Sequence, residues 1–364
     1  MEVRQAGWLG LGLAIPGVLL LANPGPLLHL AKAPPELVDK ATMYLHLQAF
    51  GLPAALGFRI YSALNNALSR PIMVTVLQLV GLSAKVPLNA WFIYGGFGIA
   101  PMGGPGCALA SAMISWLWCL SALLILKNGA AYRALGIFTA WSWPEPARLR
   151  VLLRLGLPMG LTYLIEITSF TLMSVFITRL GTVTLAGHQI IANLSAVAYM
   201  LPLSLAIATS TLVAQAIGAR DAMGARRVAW RGIRLAASLA LLVGAALWLL
   251  REPLLRAYAS DAAVVRAALA LVPFVALYQA FDAVQVTAAF VLRAYKIALV
   301  PTVIYAVSLW GIGLGGGYVM GFGLIDALPD FTRGAAGFWL ANSLSLAVAG
   351  GLLVRYFMLA SGRK

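Results

Sequence analysis

Charge is scarce in this sequence. Only 10% of its 364 residues are Asp, Glu, Lys or Arg, while 62% are hydrophobic. An ordinary soluble domain carries about 25% charged residues. A water-soluble globule built from this chain could not cover its surface with polar groups. Cysteine is limited to Cys107 and Cys119, both within one apolar run. Without a CxxC pair or a Cys/His spacing, a disulfide framework and a structural zinc site are excluded. The three histidines, His29, His46 and His188, are scattered and none belongs to an HExxH, which excludes a zincin-type metalloprotease. Strand alternation is not sustained over ten-residue units in any run, so an outer-membrane barrel is excluded too. What remains is an all-α polytopic membrane protein.

Acid is the scarcest charge, with 11 Asp and Glu against 26 Lys and Arg and a net charge of +15. The excess base falls in the loops between apolar runs, where it acts as a topology signal. It is not interleaved with exposed aromatics, so no nucleic-acid partner is expected. A crossing needs about 20 apolar residues. Ten windows meet that need, at 7–30, 43–68, 71–95, 105–127, 152–178, 185–217, 232–250, 263–291, 296–322 and 335–359. With the first segment starting inside, inner segments hold seventeen Lys and Arg, from Arg4 to Lys364, and outer ones hold seven, including Lys32 and Arg266. That bias predicts a multi-pass protein with both termini cytoplasmic. Arg59 and Lys85 fall within spans, and are expected to pair with an acid or to snorkel to an interface.

The longest polar connection, residues 128–150, carries Trp141-Ser142-Trp143-Pro144-Glu145-Pro146 and several bases. It reads as a cytoplasmic linker between a bundle at 1–127 and a bundle at 151–364. The two sides resemble each other weakly. Phe50 and Phe274, Leu68 and Leu292, and Tyr94 and Tyr318 share one offset, and Gly106-Cys107-Ala108-Leu109-Ala110 faces Gly337-Phe338-Trp339-Leu340-Ala341 after a small shift. Gly7 also has a counterpart in Gly232, so the run at Gly7–Ala22 reads as a span and not as a secretory signal. Duplicated halves are a mark of secondary transporters, with the binding site near the repeat interface. Four spans on the first side pair with the last four of six on the second. The two spans within 152–217 lack counterparts, so the first bundle is expected to be incomplete and to lack two leading spans, or the chain to start late.

Two acids, Glu166 and Asp282, sit deep inside apolar runs, while the other nine lie at run ends or between runs. A carboxylate at membrane depth costs roughly 2.5–3.5 kcal/mol on insertion scales and marks an ion or proton path unless it merely hydrogen-bonds a neighbouring helix. If their helices face each other, the two would share a cation, with Na⁺ a candidate for oxygen ligands, or hold a proton. Tyr278, one turn before Asp282, lies on the same helical face. Pro16, Pro53, Pro158, Pro202 and Pro273 sit inside or near the starts of spans, where proline permits bending. Gly311-Ile312-Gly313-Leu314-Gly315-Gly316 satisfies GxGxxG, but inside a hydrophobic span it signals close helix packing and not a dinucleotide site.

The chain resembles the multidrug and toxic compound extrusion (MATE) family, and its NorM-like branch most. The resemblance rests on Leu157-Pro158-Met159-Gly160 leading to Ile165-Glu166-Ile167-Thr168-Ser169-Phe170, and on Ala186-Gly187-His188-Gln189 with Val213-Ala214-Gln215. Tyr278-Gln279-Ala280-Phe281-Asp282 through Leu292-Arg293-Ala294-Tyr295-Lys296, and Pro87-Leu88-Asn89-Ala90-Trp91, complete it. It implies a two-bundle transporter of about ten spans, four in an incomplete N-lobe and six in the C-lobe. The implied activity is efflux of cationic amphipathic compounds across the bacterial inner membrane, coupled to Na⁺ or H⁺, with no cofactor and no enzymatic step. It points to Phe170, Gln189, Tyr199 and Asp261 as substrate contacts. The family's first-span aspartate has no match here, and Asn89 resembles a neighbour of it, so the N-lobe ion site is expected to be half-built. Three other readings stay open: an inactive remnant of such a transporter, a lipid-linked oligosaccharide flippase, and an intramembrane aspartyl protease, for which Gly323-Leu324-Ile325-Asp326 misses the GxGD pattern.

Overall fold

A computed structural model describes residues 2–30, 35–96, 98–133, 135–137, 142–325, 327 and 329–362. Lys32, Trp141, Asp326 and Lys364 lie outside the described residues.

The chain is helical almost throughout, and the described residues contain no strand, only an isolated bridge between Gly96 and Ile99. The first helices are α1 (Glu2–Ala22), α2 (Gly25–Leu30), α3 (Pro35–Ala67), α4 (Pro71–Tyr94), α5 (Gly104–Asn128) and the short α6 (Ala130–Arg133). Then come α7 (Pro146–Thr178), α8 (Thr182–Gly218), α9 (Ala222–Leu249), α10 (Arg251–Tyr258), α11 (Ala262–Leu269) and α12 (Val272–Ala294). The remainder is α13 (Leu299–Tyr305), a π-helical stretch Ala306–Gly315, α14 (Gly316–Gly321), a single 3₁₀ turn at Asp330–Thr332, and α15 (Ala335–Ser361).

Among the described residues, nine helical segments are long and apolar enough to cross a bilayer. The tenth expected span, at 43–68, is present as part of the 33-residue α3. It falls short in hydropathy because His46, Gln48, Arg59, Asn65 and Asn66 interrupt its apolar sequence. The window 263–291 is not one helix. It breaks at Ala270 and Leu271 into α11 and α12, and Pro273 begins α12 in its first turn, where a missing N–H costs nothing. Large apolar side chains such as Leu13, Ile15, Leu19, Val80 and Leu242 are exposed. A bilayer offers lipid to such exposed side chains, and a helix pairs most of its own N–H and C=O groups within the segment.

The chain divides into two compact units, Met1–Leu152 and Leu153–Lys364. In the first, α3 packs against α1 and α5, and α5 against α4. Close approach depends on Gly51, where a Cβ would lie 2.9 Å from the Ala112 backbone. Tyr132 donates to Asn65 Oδ1 at 2.6 Å, and Asn65 donates to the Tyr61 carbonyl at 2.9 Å. Residues 142–145 are tied to the start of α1. Trp8 Nε1 donates to the Ser142 carbonyl at 2.9 Å, Gln5 donates to the Trp143 carbonyl at 3.0 Å, and the Trp8 and Trp143 rings stack.

In the second unit α12 is the central helix, packed on α8, α9 and α15. Small residues permit this, with Ala236, Ala240 and Ala283 forming one fully buried contact. The glycine-rich stretch is a packing surface, since a Cβ at Gly313 would lie 2.9 Å from Ser345 Oγ. Pro158 lies within α7, and its carbonyl lies within reach of the hydroxyls of Thr162 at 2.9 Å and Thr302 at 2.8 Å. Arg59 is exposed and belongs to none of the ion pairs of the described residues.

Candidate functional site

A cavity of about 370 Å³ lies within the second unit and is lined by Glu166 and Asp282 together. Each acid arrives on a different helix. Glu166 comes from α7, where the helical period places Tyr163, Ser169 and Phe170 on the same wall. Asp282 comes from α12 with Tyr278 one turn earlier, also on the wall. The third wall is α8, through Ala192, Ser195 and Tyr199, again at helical spacing. Leu309 of the π-helical stretch and Asn342 and Leu346 of α15 close the remaining side.

Asp282 is only 2% exposed, and Gln285 Nε2 donates to its Oδ1 at 2.9 Å. Glu166 is partly exposed to the cavity, with Tyr199 beside its carboxylate. The two acids share one cavity, and the Tyr199 and Tyr278 side chains line it with them. Arg293 at the end of α12 also acts on Glu166. Its guanidinium lies 5.2 Å from the Tyr163 ring centre and 4.3 Å from that of Phe290, a cation–π arrangement worth about 0.5–1 kcal/mol or more as water is excluded. Gln279 fixes the α8 wall by donating to Ser195 Oγ at 2.9 Å. Ser169 Oγ donates to the Leu309 carbonyl at 3.3 Å and joins α7 to the π-helical stretch.

The structure therefore brings together Glu166, Asp282, Tyr278, Phe170 and Tyr199. It does not bring Gln189 or Asp261 to them. Gln189 is exposed on α8, because a rotation of about 100° per residue carries it off the face that His188, Ala192 and Ser195 turn inward. Asp261 is the exposed N-cap of α11, and its Oδ1 accepts from Ala263 N at 2.7 Å. Asn89 lies in α4 of the first unit, with its Oδ1 buried and without a hydrogen-bond partner. It is not part of that unit's cavity of about 750 Å³.

Three functional candidates went unnoticed in the sequence. Asn342 lines the cavity from a helix more than 170 residues beyond Glu166. Trp339 lies behind it, fully buried, with its ring edge-on to Phe170 at 5.9 Å and to Tyr278 at 5.4 Å. Tyr163, by contrast, had a usable signal: it stands three residues before Glu166, on the same helical face.

No three His, Cys, Asp or Glu side chains are gathered as a metal site among the described residues. The site offers oxygen donors around two carboxylates, a chemistry suited to a hard monovalent cation or a proton. Comparison with known proteins decides the family. The profile of the MatE family matches residues 2–91 and 158–319. The chain belongs to the MatE family. It is a multi-pass membrane transporter and not an enzyme.

The probable multidrug resistance protein NorM of Aromatoleum aromaticum is 41% identical over 359 residues, covering 98% of this chain and 77% of that protein. The multidrug resistance protein PmpM of Pseudomonas aeruginosa is 37% identical over 338 residues, covering 93% of this chain and 70% of that protein. An outward-facing structure of a multidrug resistance MATE family transporter of the MOP superfamily superposes with a TM-score of 0.88 at 16% identity, covering 99% of this chain and 78% of the other. The Vibrio cholerae MATE transporter VcmN in its bent form gives 0.80 at 16%, covering 99% and 77%. At that identity the structures establish the fold alone. Neither the flippase nor the protease reading finds support in these matches.

Proposed function

We propose that this chain acts as a cation-coupled efflux antiporter for cationic amphipathic compounds in the bacterial inner membrane, with both termini and the 128–150 linker cytoplasmic. In this reading residues 1–127 are a four-span bundle with a half-built ion site at Asn89, and residues 151–364 are the six-span bundle that carries the coupling site. One observation supports it above all: the two acids from the apolar runs line a single cavity whose other walls are mostly aromatic and apolar.

Two carboxylates in a poorly hydrated chamber are costly unless their charge is compensated. A Na⁺ ion or protons at Glu166 and Asp282, with Tyr278 beside them, would supply that compensation. So would an organic cation whose flat apolar body lies against Phe170 and Tyr199. Entry of the coupling ion thus removes the charge that retains the organic cation, which is the exchange an antiporter needs. Gln189 and Asp261 belong to this reading only as contacts on the way to or from the cavity. The resemblance of the chain to the NorM proteins of Aromatoleum aromaticum and Chromobacterium violaceum, both described as probable multidrug resistance proteins, supports the substrate class.

The experiment is efflux from proteoliposomes while the Na⁺ gradient and the pH gradient are collapsed separately. Loss of efflux with one gradient and not the other names the coupling ion. Efflux indifferent to both would overturn the antiport reading.

A further inference from the structure

Behind the cavity lies a hydrogen-bonded chain whose direction can be worked out atom by atom. Trp339 Nε1 lies 3.2 Å from His188 Nδ1. An indole N–H only donates, so Nδ1 must accept and carries no proton. The ring proton of neutral His188 is then on Nε2, which lies 2.9 Å from Ser174 Oγ and donates to it. The Ser174 hydroxyl keeps its own hydrogen for the Phe170 carbonyl at 3.2 Å. Every donor is used in one direction, and the chain ends at Phe170, whose ring also meets the Trp339 ring edge-on. His188 and Trp339 are both 0% exposed. Their surroundings leave one tautomer and one ring orientation.

Trp339 meets the two aromatic walls of the cavity. Its ring is at 81° to Phe170 and at 79° to Tyr278. Edge-to-face contacts are directional, so a rotation of the indole would shift both rings. We propose that His188, held as its Nε2–H tautomer by Ser174, is a positioning residue that fixes Trp339 and thereby the Phe170 and Tyr278 faces, and so sets a preference for flat aromatic cations over compact alkylammonium ions. The proposal rests on the cavity being the substrate site, adds the Tyr278 ring to the Phe170 and Tyr199 faces that meet the organic cation, and extends that reading to selectivity.

Two measurements on the full chain in lipid nanodiscs test it. ¹⁵N NMR of histidine-labelled protein, with the His188 signals assigned by their loss in His188→Gln, reads the tautomer without any transport. Ethidium and tetrabutylammonium binding reads the selectivity. Wild type is expected to show a protonated Nε2 and a bare Nδ1. His188→Leu is expected to weaken ethidium binding about tenfold and tetrabutylammonium binding less than about twofold, since only the flat ring needs both aromatic faces. His188→Gln is the rescue, because its amide can accept from Trp339 and donate to Ser174, and it should stay near wild type. A proton on Nδ1, equal losses for both cations, or a Gln variant as impaired as the Leu variant would overturn the proposal. If wild type binds neither cation, the substrate reading falls and takes the selectivity claim with it, while the tautomer result still decides whether His188 anchors Trp339.

Discussion

The larger of the two cavities has the simpler lining. In Met1–Leu152, about 750 Å³ of space is lined by apolar and aromatic side chains with Arg4, Tyr61 and Ser142 as its polar groups, and no carboxylate. In Leu153–Lys364, about 370 Å³ is lined by apolar side chains together with two carboxylates, three tyrosines, an asparagine, two serines and a threonine. The helices framing the two spaces differ: α1, α3 and α5 line most of one, and α7, α8, α12, the π-helical stretch and α15 line the other. In the second unit α7 and α8 supply Glu166, Tyr163, Phe170 and Tyr199, and α12 supplies Asp282 and Tyr278. Volume is therefore a poor guide to where chemistry resides in this chain. The concentration of buried oxygen around a membrane-depth charge is a better one.

The largest effects should separate the units outright. Glu166→Gln or Asp282→Asn is expected to lower coupled efflux by at least about a hundredfold, because each removes a charge that the exchange requires. Asn89→Ala in the first unit should change it by less than about threefold, since its amide carries no charge and no carboxylate lines that unit's cavity. Transport assayed in the same vesicles checks both. Comparable losses from all three would erase the distinction and assign an ion site to the first unit as well.

A smaller contrast concerns packing. Gly187 faces the α11 backbone, and a Cβ there would come within 2.9 Å of Ala268 N. Gly7 lines the large cavity, and a Cβ there would meet nothing within 4 Å. Gly187→Val should therefore cost about 1–3 kcal/mol through overpacking, whereas Gly7→Val should be neutral within about 0.5 kcal/mol. Thermal unfolding in detergent measures both. A destabilised Gly7→Val would mean that the first cavity is more tightly filled than its walls indicate.

How far such contrasts could be read in advance depended on the range of the interaction. Most spans followed from apolar run length, because the bilayer rewards composition over a whole segment. Glu166 and Asp282 stood out because acid is so rare at that depth, and Tyr278 followed from its position one turn before Asp282. The break between α11 and α12 was hidden, since Ala270 and Leu271 are as apolar as the helices they separate. Trp339 and Asn342 were invisible for a different reason. They meet α7 and α12 only through tertiary packing, and in sequence they resemble any other residues of an apolar helix. Gln189 was named by resemblance alone, and the turn of α8 leaves it exposed, off the face that lines the cavity.

The smallest expected effect tests whether burial, and not acidity itself, sets the second unit apart. Asp261 belongs to the same unit as Asp282, yet its carboxylate is exposed and caps α11 by accepting from Ala263 N. Asparagine caps a helix about as well as aspartate, and alanine does not. Asp261→Asn should thus retain stability while removing the charge, and Asp261→Ala should lose about 1 kcal/mol. Measuring ethidium affinity beside the unfolding midpoint separates the two roles of this side chain. If affinity is unchanged in both variants, Asp261 serves the fold, and the charge that matters is confined to the cavity. If affinity falls in Asp261→Asn while stability holds, an exposed acid contributes to attracting the cation, and the functional region of the second unit extends beyond the buried pair.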